Sequence, residues 1–213
     1  MNFDPVAPYY LLLERLFSFG QLQRARLAML HELHDCKRIL MVGEGQGRCL
    51  VPLLQRHPRA QVTCLDASPA MLERAAFKLQ QSGLQNRCEL IAADLLTWQP
   101  DEALTGSCDA VVSHFFFDCF IPPQQTVIIQ KLTPLLSPSA RWLLADFTPA
   151  RPGLRGLPSR LLLALLYGFF QRAAGVGVRQ VHPPDALLLQ AGFALAQRRS
   201  LCLGLLHSDL WTR

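Results

Sequence analysis

Lysine is scarce: the 213-residue chain holds three, against eighteen arginines, and only 17% of its residues are charged. Half of the residues are hydrophobic, which excludes wholesale disorder and supplies a buried core for one domain of ordinary size. Long apolar runs are missing as well. The longest, residues 161–170, falls short of the roughly 18 positions that a membrane span needs. The chain opens with Asp4 and Pro5 where a signal peptide would place basic residues before an apolar stretch. Its seven cysteines form no C-x-x-C pair, and Cys64, Cys119 and Cys202 sit among apolar neighbours. This spacing argues against a zinc site or a disulfide framework and predicts reduced thiols in a cytoplasmic protein without a metal.

The formal net charge is +5, yet the basic residues are scattered, with Lys37-Arg38 and Arg198-Arg199 as the tight pairs. A surface for a polyanion gathers its charge into one stripe, so nucleic acid is not an expected partner.

Short apolar runs alternate with helical patterns. Residues 9–34 repeat Leu12, Leu16, Phe19, Leu22, Leu27 and Leu30 at a helical period that breaks near Ser18-Phe19-Gly20. Strands are predicted at 39–42, 62–65, 89–92, 110–113 and 142–145, with helices at 48–56, 68–82 and 122–136 between them. Ser68-Pro69 supplies an N-cap and a first-turn proline. Residues 151–183 interrupt the rhythm with a Pro/Gly/Arg loop and an apolar helix at 159–170. A helix at 185–191, stopped by Gly192, and two strands at 193–200 and 202–207 complete the pattern. The alternation predicts a doubly wound, mostly parallel seven-stranded sheet with helices on both faces, a helical cap at 1–35 and the 151–183 insertion after strand five.

The strongest local signal is Gly43-Glu44-Gly45-Gln46-Gly47, between the first strand and a helix. Glycines let the backbone turn sharply and approach a ligand, and a helix N-terminus offers unpaired N–H donors. The dinucleotide fingerprint needs a glycine at position 48, where Arg48 stands, so the loop suits a ligand with less phosphate and a carboxylate or amine. Asp66 ends the second strand, where an acid can accept from both ribose hydroxyls. Asp94 follows Ala93 at the end of the third, in reach of an adenine amino group. Either acid alone reads as a helix cap or a solvated loop residue; their joint place at successive strand ends, where open α/β sheets bind ligands, favours a nucleoside.

With residues 39–47, Val62 to Asp66, and Ala93-Asp94, the chain resembles a class I S-adenosylmethionine-dependent methyltransferase over nearly its whole length. The segment Asp109-Ala110-Val111-Val112-Ser113-His114 resembles the family's fourth-strand motif at the methyl-transfer site. The resemblance implies S-adenosylmethionine as cofactor, a single methyltransferase domain over 1–213, and a cofactor site drawn from Tyr10, Gly43, Glu44, Gly45, Gly47, Asp66, Ala67, Ala93, Asp94, Leu95 and Ser113. One departure is Met41, which stands where the family usually has an acid. The N-terminal pattern Phe3-Asp4-x-Val6-Ala7-x-x-Tyr10, then Ser18-Phe19-Gly20 and Arg26, is similar to the ubiquinone/menaquinone C-methyltransferases, in which this segment folds over the cofactor.

The implied chemistry is in-line methyl transfer, which asks for alignment, desolvation and an electron-rich acceptor. His114 lies where the acceptor should sit, as general base or as a hydrogen-bonded structural residue. Phe115, Phe116 and Phe117 would wall the site, and Asp118 either orients His114 or caps the next helix. Tyr9 and Tyr10 either close over the sulfonium by cation–π contact or pack the cap. The apolar 159–170 helix is a lid, a homodimer face or a membrane-surface contact; as a lid it predicts a small apolar or aromatic acceptor methylated at O, C or N. A nucleic-acid methyltransferase and a catalytically silent relative that binds a nucleoside or a partner are the alternatives. His207-Ser208-Asp209 has a triad-like order, but residues so close in sequence rarely form a triad. In His31-Glu32-Leu33-His34 the histidines fall one residue short of zinc-helix spacing, which leaves a solvated helix end.

Overall fold

The computed structural model describes residues 20–149, 161, 168, 171, 177–178 and 180–213. Tyr9, Tyr10 and the rest of the cap before Gly20 lie outside them, as do nearly all of the 151–183 insertion and its apolar helix.

Seven strands form one mixed sheet in the order β3-β2-β1-β4-β5-β7-β6. They are β1 (Arg38–Val42), β2 (Gln61–Asp66), β3 (Cys88–Ala92), β4 (Cys108–His114), β5 (Leu136–Phe147), β6 (Ala194–Leu201) and β7 (Leu206–Thr212). β1 to β5 are parallel, whereas β7 runs antiparallel to both β5 and β6. The order in which successive strands are laid down reverses between the parallel neighbours β1 and β4, so the C-terminal ends of β1, β2 and β4 flank a switch point, the place where such sheets bind ligands.

Both faces of the sheet are covered. Helices α1 (Gln21–Leu27), α2 (Leu50–Arg56) and α3 (Pro69–Gln81) lie on one side, α4 (Pro122–Leu132) and α5 (Asp185–Gln190) on the other. Strand alternation sorts the side chains. Ile39, Met41, Val62, Cys64, Ala110 and Val112 pack with Leu50, Leu53 and Leu72 on the first side. Leu40, Val42, Val111, Trp142 and Leu144 pack with Ile128, Leu132 and Leu188 on the second. Met41, in the position of the family's usual acid, is therefore a core side chain.

Ser68 caps α3 as expected, its hydroxyl accepting the Met71 N–H at 3.2 Å with Pro69 next. Four expectations are corrected. The segment after Gly20 is a short helix followed by a 3-10 turn at Leu30–Leu33, not one helix to residue 34. The helix after the glycine loop starts at Leu50 rather than 48. The helix predicted at 122–136 ends at Leu132 and tightens into a 3-10 turn at Thr133–Leu135, because Pro134 has no N–H to continue it. The last strand spans 206–212 rather than 202–207: Cys202 and Leu203 adopt left-handed backbone at φ 49° and 56°, and with Gly204 they turn the chain inside an apolar run.

Candidate active site

The glycine loop bends through left-handed backbone at Gly43, Gly45 and Gly47. At Gly43 a side chain has no room unless Phe116 shifts: a Cβ there would stand 2.2 Å from Cδ2 of that ring. The Phe116 ring thus lies on this end of the loop, packed against Phe117 and Phe120 at centroid distances of 5.3 and 4.9 Å. Gly45 is the open position, where a Cβ would meet only the Met71 sulfur at 3.8 Å.

Glu44 turns inward. Its buried carboxylate accepts the backbone N–H groups of Cys49 and of Leu50, the latter at 3.0 Å, and so caps the start of α2. Burial pushes its pKa up, opposed by the Arg26 charge and by the two N–H donors. The carboxylate expected at the cofactor is thus a structural clamp on the loop.

Asp66 carries the loop from below. One oxygen accepts the Gly45 N–H at 2.8 Å, the other the Ser68 N–H at 2.9 Å, and the residue stays partly exposed. Ala67 beside it is exposed. At the end of β3 the Ala93 N–H donates to the Asp66 carbonyl, Leu95 is buried in the core, and exposed Asp94 accepts the Leu96 N–H through Oδ1 at 2.9 Å. Oδ2 of Asp94 has no partner among the described residues. The glycine turn, Asp66 and Asp94 therefore stand at three strand ends as expected. The Ser113 hydroxyl does not join them, because it accepts the Trp142 indole N–H at 2.8 Å inside the core.

At the end of β4, His114 is 5% exposed, on the side of the sheet that faces α1. Its Nδ1 is buried with no hydrogen-bond partner among the described residues. Burial first, and the nearby Arg26 charge second, lower its pKa to about 3, so the ring is neutral at physiological pH. A base titrating near neutrality is not what this environment makes. Phe115 follows at φ 53°, a costly conformation for a bulky residue. It is held by its N–H on the Ala145 carbonyl at 2.7 Å, by an edge contact to Phe147 at 5.5 Å, and by the Arg26 guanidinium 5.0 Å from its ring. Leu22, Ala25, Phe147, Leu205 and Leu206 complete this apolar cluster.

Asp118 does not orient His114. Strand alternation sends His114 toward α1, while the Asp118 backbone N–H donates to Asp146 Oδ2 at 3.1 Å across the other face. Burial raises the Asp146 carboxyl strongly, and the neighbouring Asp118 charge adds to it. Asp146 was missed in the sequence although it ends an apolar strand as Asp66 does. Arg26 stood in a motif, but its place between Glu44 and His114 is a tertiary fact.

His207 and Asp209 share one face of β7 and bond at 2.9 Å, while Ser208 points to the opposite face with its hydroxyl buried and without a partner among the described residues. The three form no triad. Arg198 closes on Asp209 through Nε at 2.9 Å and Nη2 at 2.6 Å, which makes the group a structural ion cluster. No cluster of ligands able to hold a metal occurs among the described residues.

Residues 39–139 match the family model described as a methyltransferase domain. The chain is 36% identical over 158 residues to the ubiquinone/menaquinone biosynthesis C-methyltransferase UbiE of Syntrophotalea carbinolica, covering 73% of this chain and 64% of that protein. It is 35% identical over 173 residues to the demethylmenaquinone methyltransferase of Thermus thermophilus, covering 80% of this chain and 72% of that one. Among solved structures, mitomycin 7-O-methyltransferase MmcR superimposes with a TM-score of 0.71 at 20% identity, over all of this chain and 61% of that one. The chain thus spans somewhat under two thirds of the Syntrophotalea protein and of the solved chain. With the strand-end acids, the glycine turn and these matches in hand, the chain belongs to the class I S-adenosylmethionine-dependent methyltransferases.

Proposed function

We propose that this protein transfers a methyl group from S-adenosylmethionine to a small apolar or aromatic acceptor, at oxygen, carbon or nitrogen. The Syntrophotalea relative named for C-methylation, the Thermus relative named a demethylmenaquinone methyltransferase and the structural neighbour named for O-methylation support the reaction class and leave the acceptor atom open. The single observation that carries the acceptor class is the apolar cluster of Phe115, Phe147, Leu22 and Leu205 around the end of β4, beside a neutral, unpartnered His114.

The donor set suits the cofactor. Partly exposed Asp66 and exposed Asp94 offer acceptor oxygens at adjacent strand ends for ribose hydroxyls and an adenine amino group, and the open side of Gly45 leaves room for close backbone approach. Bound there, S-adenosylmethionine supplies an already activated electrophilic methyl. The chain's own task is alignment and exclusion of water. Phe115 and Phe147 exclude water from the acceptor side. His114, in its neutral form, stands at this end of β4 as a ring that orients a hydroxyl or an enol of the acceptor.

Isothermal titration with S-adenosylmethionine and S-adenosylhomocysteine, followed by label transfer to pooled phenols and quinols, tests the reading. Binding of both ligands is expected, with loss in Asp66→Ala. Lack of binding at millimolar concentration removes the enzyme reading. Full turnover in His114→Ala removes the orienting role and leaves cofactor binding in place.

A further inference from the structure

We propose that a hollow at the sheet edge remote from the glycine loop binds a phosphorylated small molecule. The cavity, about 290 Å³, lies between the end of α2 and the segment leading into β1. Three permanent cations line it: Lys37 ahead of β1, Arg56 in the last turn of α2, and Arg59 in the loop to β2. Their side chains have no hydrogen-bond or ion-pair partner among the described residues. His31 and His34 line it as well.

Of the nearby carboxylates, Asp109 accepts the backbone N–H groups of Lys37 at 2.7 Å and Arg38 at 2.9 Å, and the one in the lining is engaged by a cation. Asp35 in the lining is bridged by the Arg141 guanidinium through both oxygens. The C-terminal end of a helix is ordinarily negative because its last carbonyls lack partners. Here Arg87 reaches in from the far side and donates to the carbonyls of Leu54 at 2.9 Å, His57 at 2.5 Å and Ala60 at 2.8 Å. The same bonds stiffen the 57–60 loop, as does buried His57 with its Nε2 2.8 Å from the Leu30 carbonyl. A concave wall with neutralised carbonyls and three unpaired cations focuses a positive potential, and guanidinium groups match phosphate oxygens two at a time. The volume suits one phosphate or pyrophosphate group with a small body rather than a polymer.

This site does not rest on the methyl-transfer reading, because the hollow and the glycine loop lie at opposite ends of β1. Pyrophosphate, titrated calorimetrically into the full chain at constant ionic strength, should bind saturably. The triple variant Lys37→Gln/Arg56→Gln/Arg59→Gln should weaken binding about tenfold or more. Arg74→Gln, which removes an exposed cation from α3, should not. Thermal melts establish that each variant is folded; if the triple is not, the single variants Arg56→Gln and Arg59→Gln are read in its place. Co-sedimentation with phosphatidylglycerol against phosphatidylcholine vesicles distinguishes a lipid headgroup from a soluble ester. Cation-dependent binding in either arm supports the site. An equal response of the wild type, the cavity variants and Arg74→Gln, or no binding in both arms, overturns it.

Discussion

The Asp66 carboxylate holds the Gly45 N–H at 2.8 Å, which ties the end of β2 to the turn after β1. One side chain therefore shapes the loop and also faces the crevice. Asp66→Ala removes this bond and the one to Ser68, and should cost about 1–3 kcal/mol of stability as well as cofactor affinity. Asp66→Asn, which keeps an acceptor oxygen, should lose less stability than Asp66→Ala. Urea melts of both variants check the order, and equal melts for Asp66→Ala and wild type would show that the tie carries no energy.

His114 gives a pH signature. Its pKa falls from the usual 6.5 to about 3 on folding, because burial and then the Arg26 charge disfavour the imidazolium. Between those values the unfolded chain binds more protons than the folded one, so this residue's contribution to stability rises with pH across the window and is lost as acid is added. His114→Leu should flatten the stability slope between pH 4 and 6.5 in denaturant titrations at several pH values. Since Nδ1 has no partner to lose among the described residues, the variant should be at least as stable as wild type near pH 5.

The approach of Phe116 to Gly43 predicts a coupling. Gly43→Ala places a methyl 2.2 Å from the ring on left-handed backbone and should cost about 2–4 kcal/mol. In Gly43→Ala/Phe116→Ala the clash is gone and the conformational strain remains. The double variant should lose less than the sum of the two single changes. A double-mutant cycle by thermal melting measures the difference, and strict additivity would mean that the ring moves aside at no cost.

Arg198 is the counter-charge for buried Asp209 and also reaches Asp185 at 2.8 Å. Burial alone would raise the Asp209 carboxyl; the bonds from Arg198 and His207 outweigh it and hold it below the ordinary range. Arg198→Ala leaves that carboxylate with His207 alone. About 2–3 kcal/mol should be lost, less than for a fully buried pair because part of the guanidinium faces solvent. Asp209→Asn in the Arg198→Ala background should recover part of the loss in chemical denaturation.

Much of this architecture is written in local pattern. The β1 to β4 cores, the Ser68-Pro69 start and the Gly192 stop are periodicity and cap chemistry, which need no knowledge of partners. The hairpin turn at Cys202–Gly204 was hidden because Cys202 and Leu203 take positive φ without being glycine, in a stretch that reads as one apolar run. The strand-end acids were legible by position, since alternation and burial place the C-terminal edge. What each side chain grips was not. Glu44 capping Leu50, Ser113 under Trp142, and Asp118 beside Asp146 rather than His114 all depend on which face a neighbouring element presents. Such contacts span elements and leave no period in the sequence.

The inward Glu44 has one more consequence. Because the same residue forms the turn after β1 and grips the first N–H groups of α2, the loop cannot swing without uncapping a helix. Under the proposed function, the side of the crevice assigned to the nucleoside is therefore a preformed lock, paying little ordering entropy on occupancy. On the same proposal, any plasticity needed to admit acceptors of different shape would come from the aromatic side, around Phe115 and Phe147.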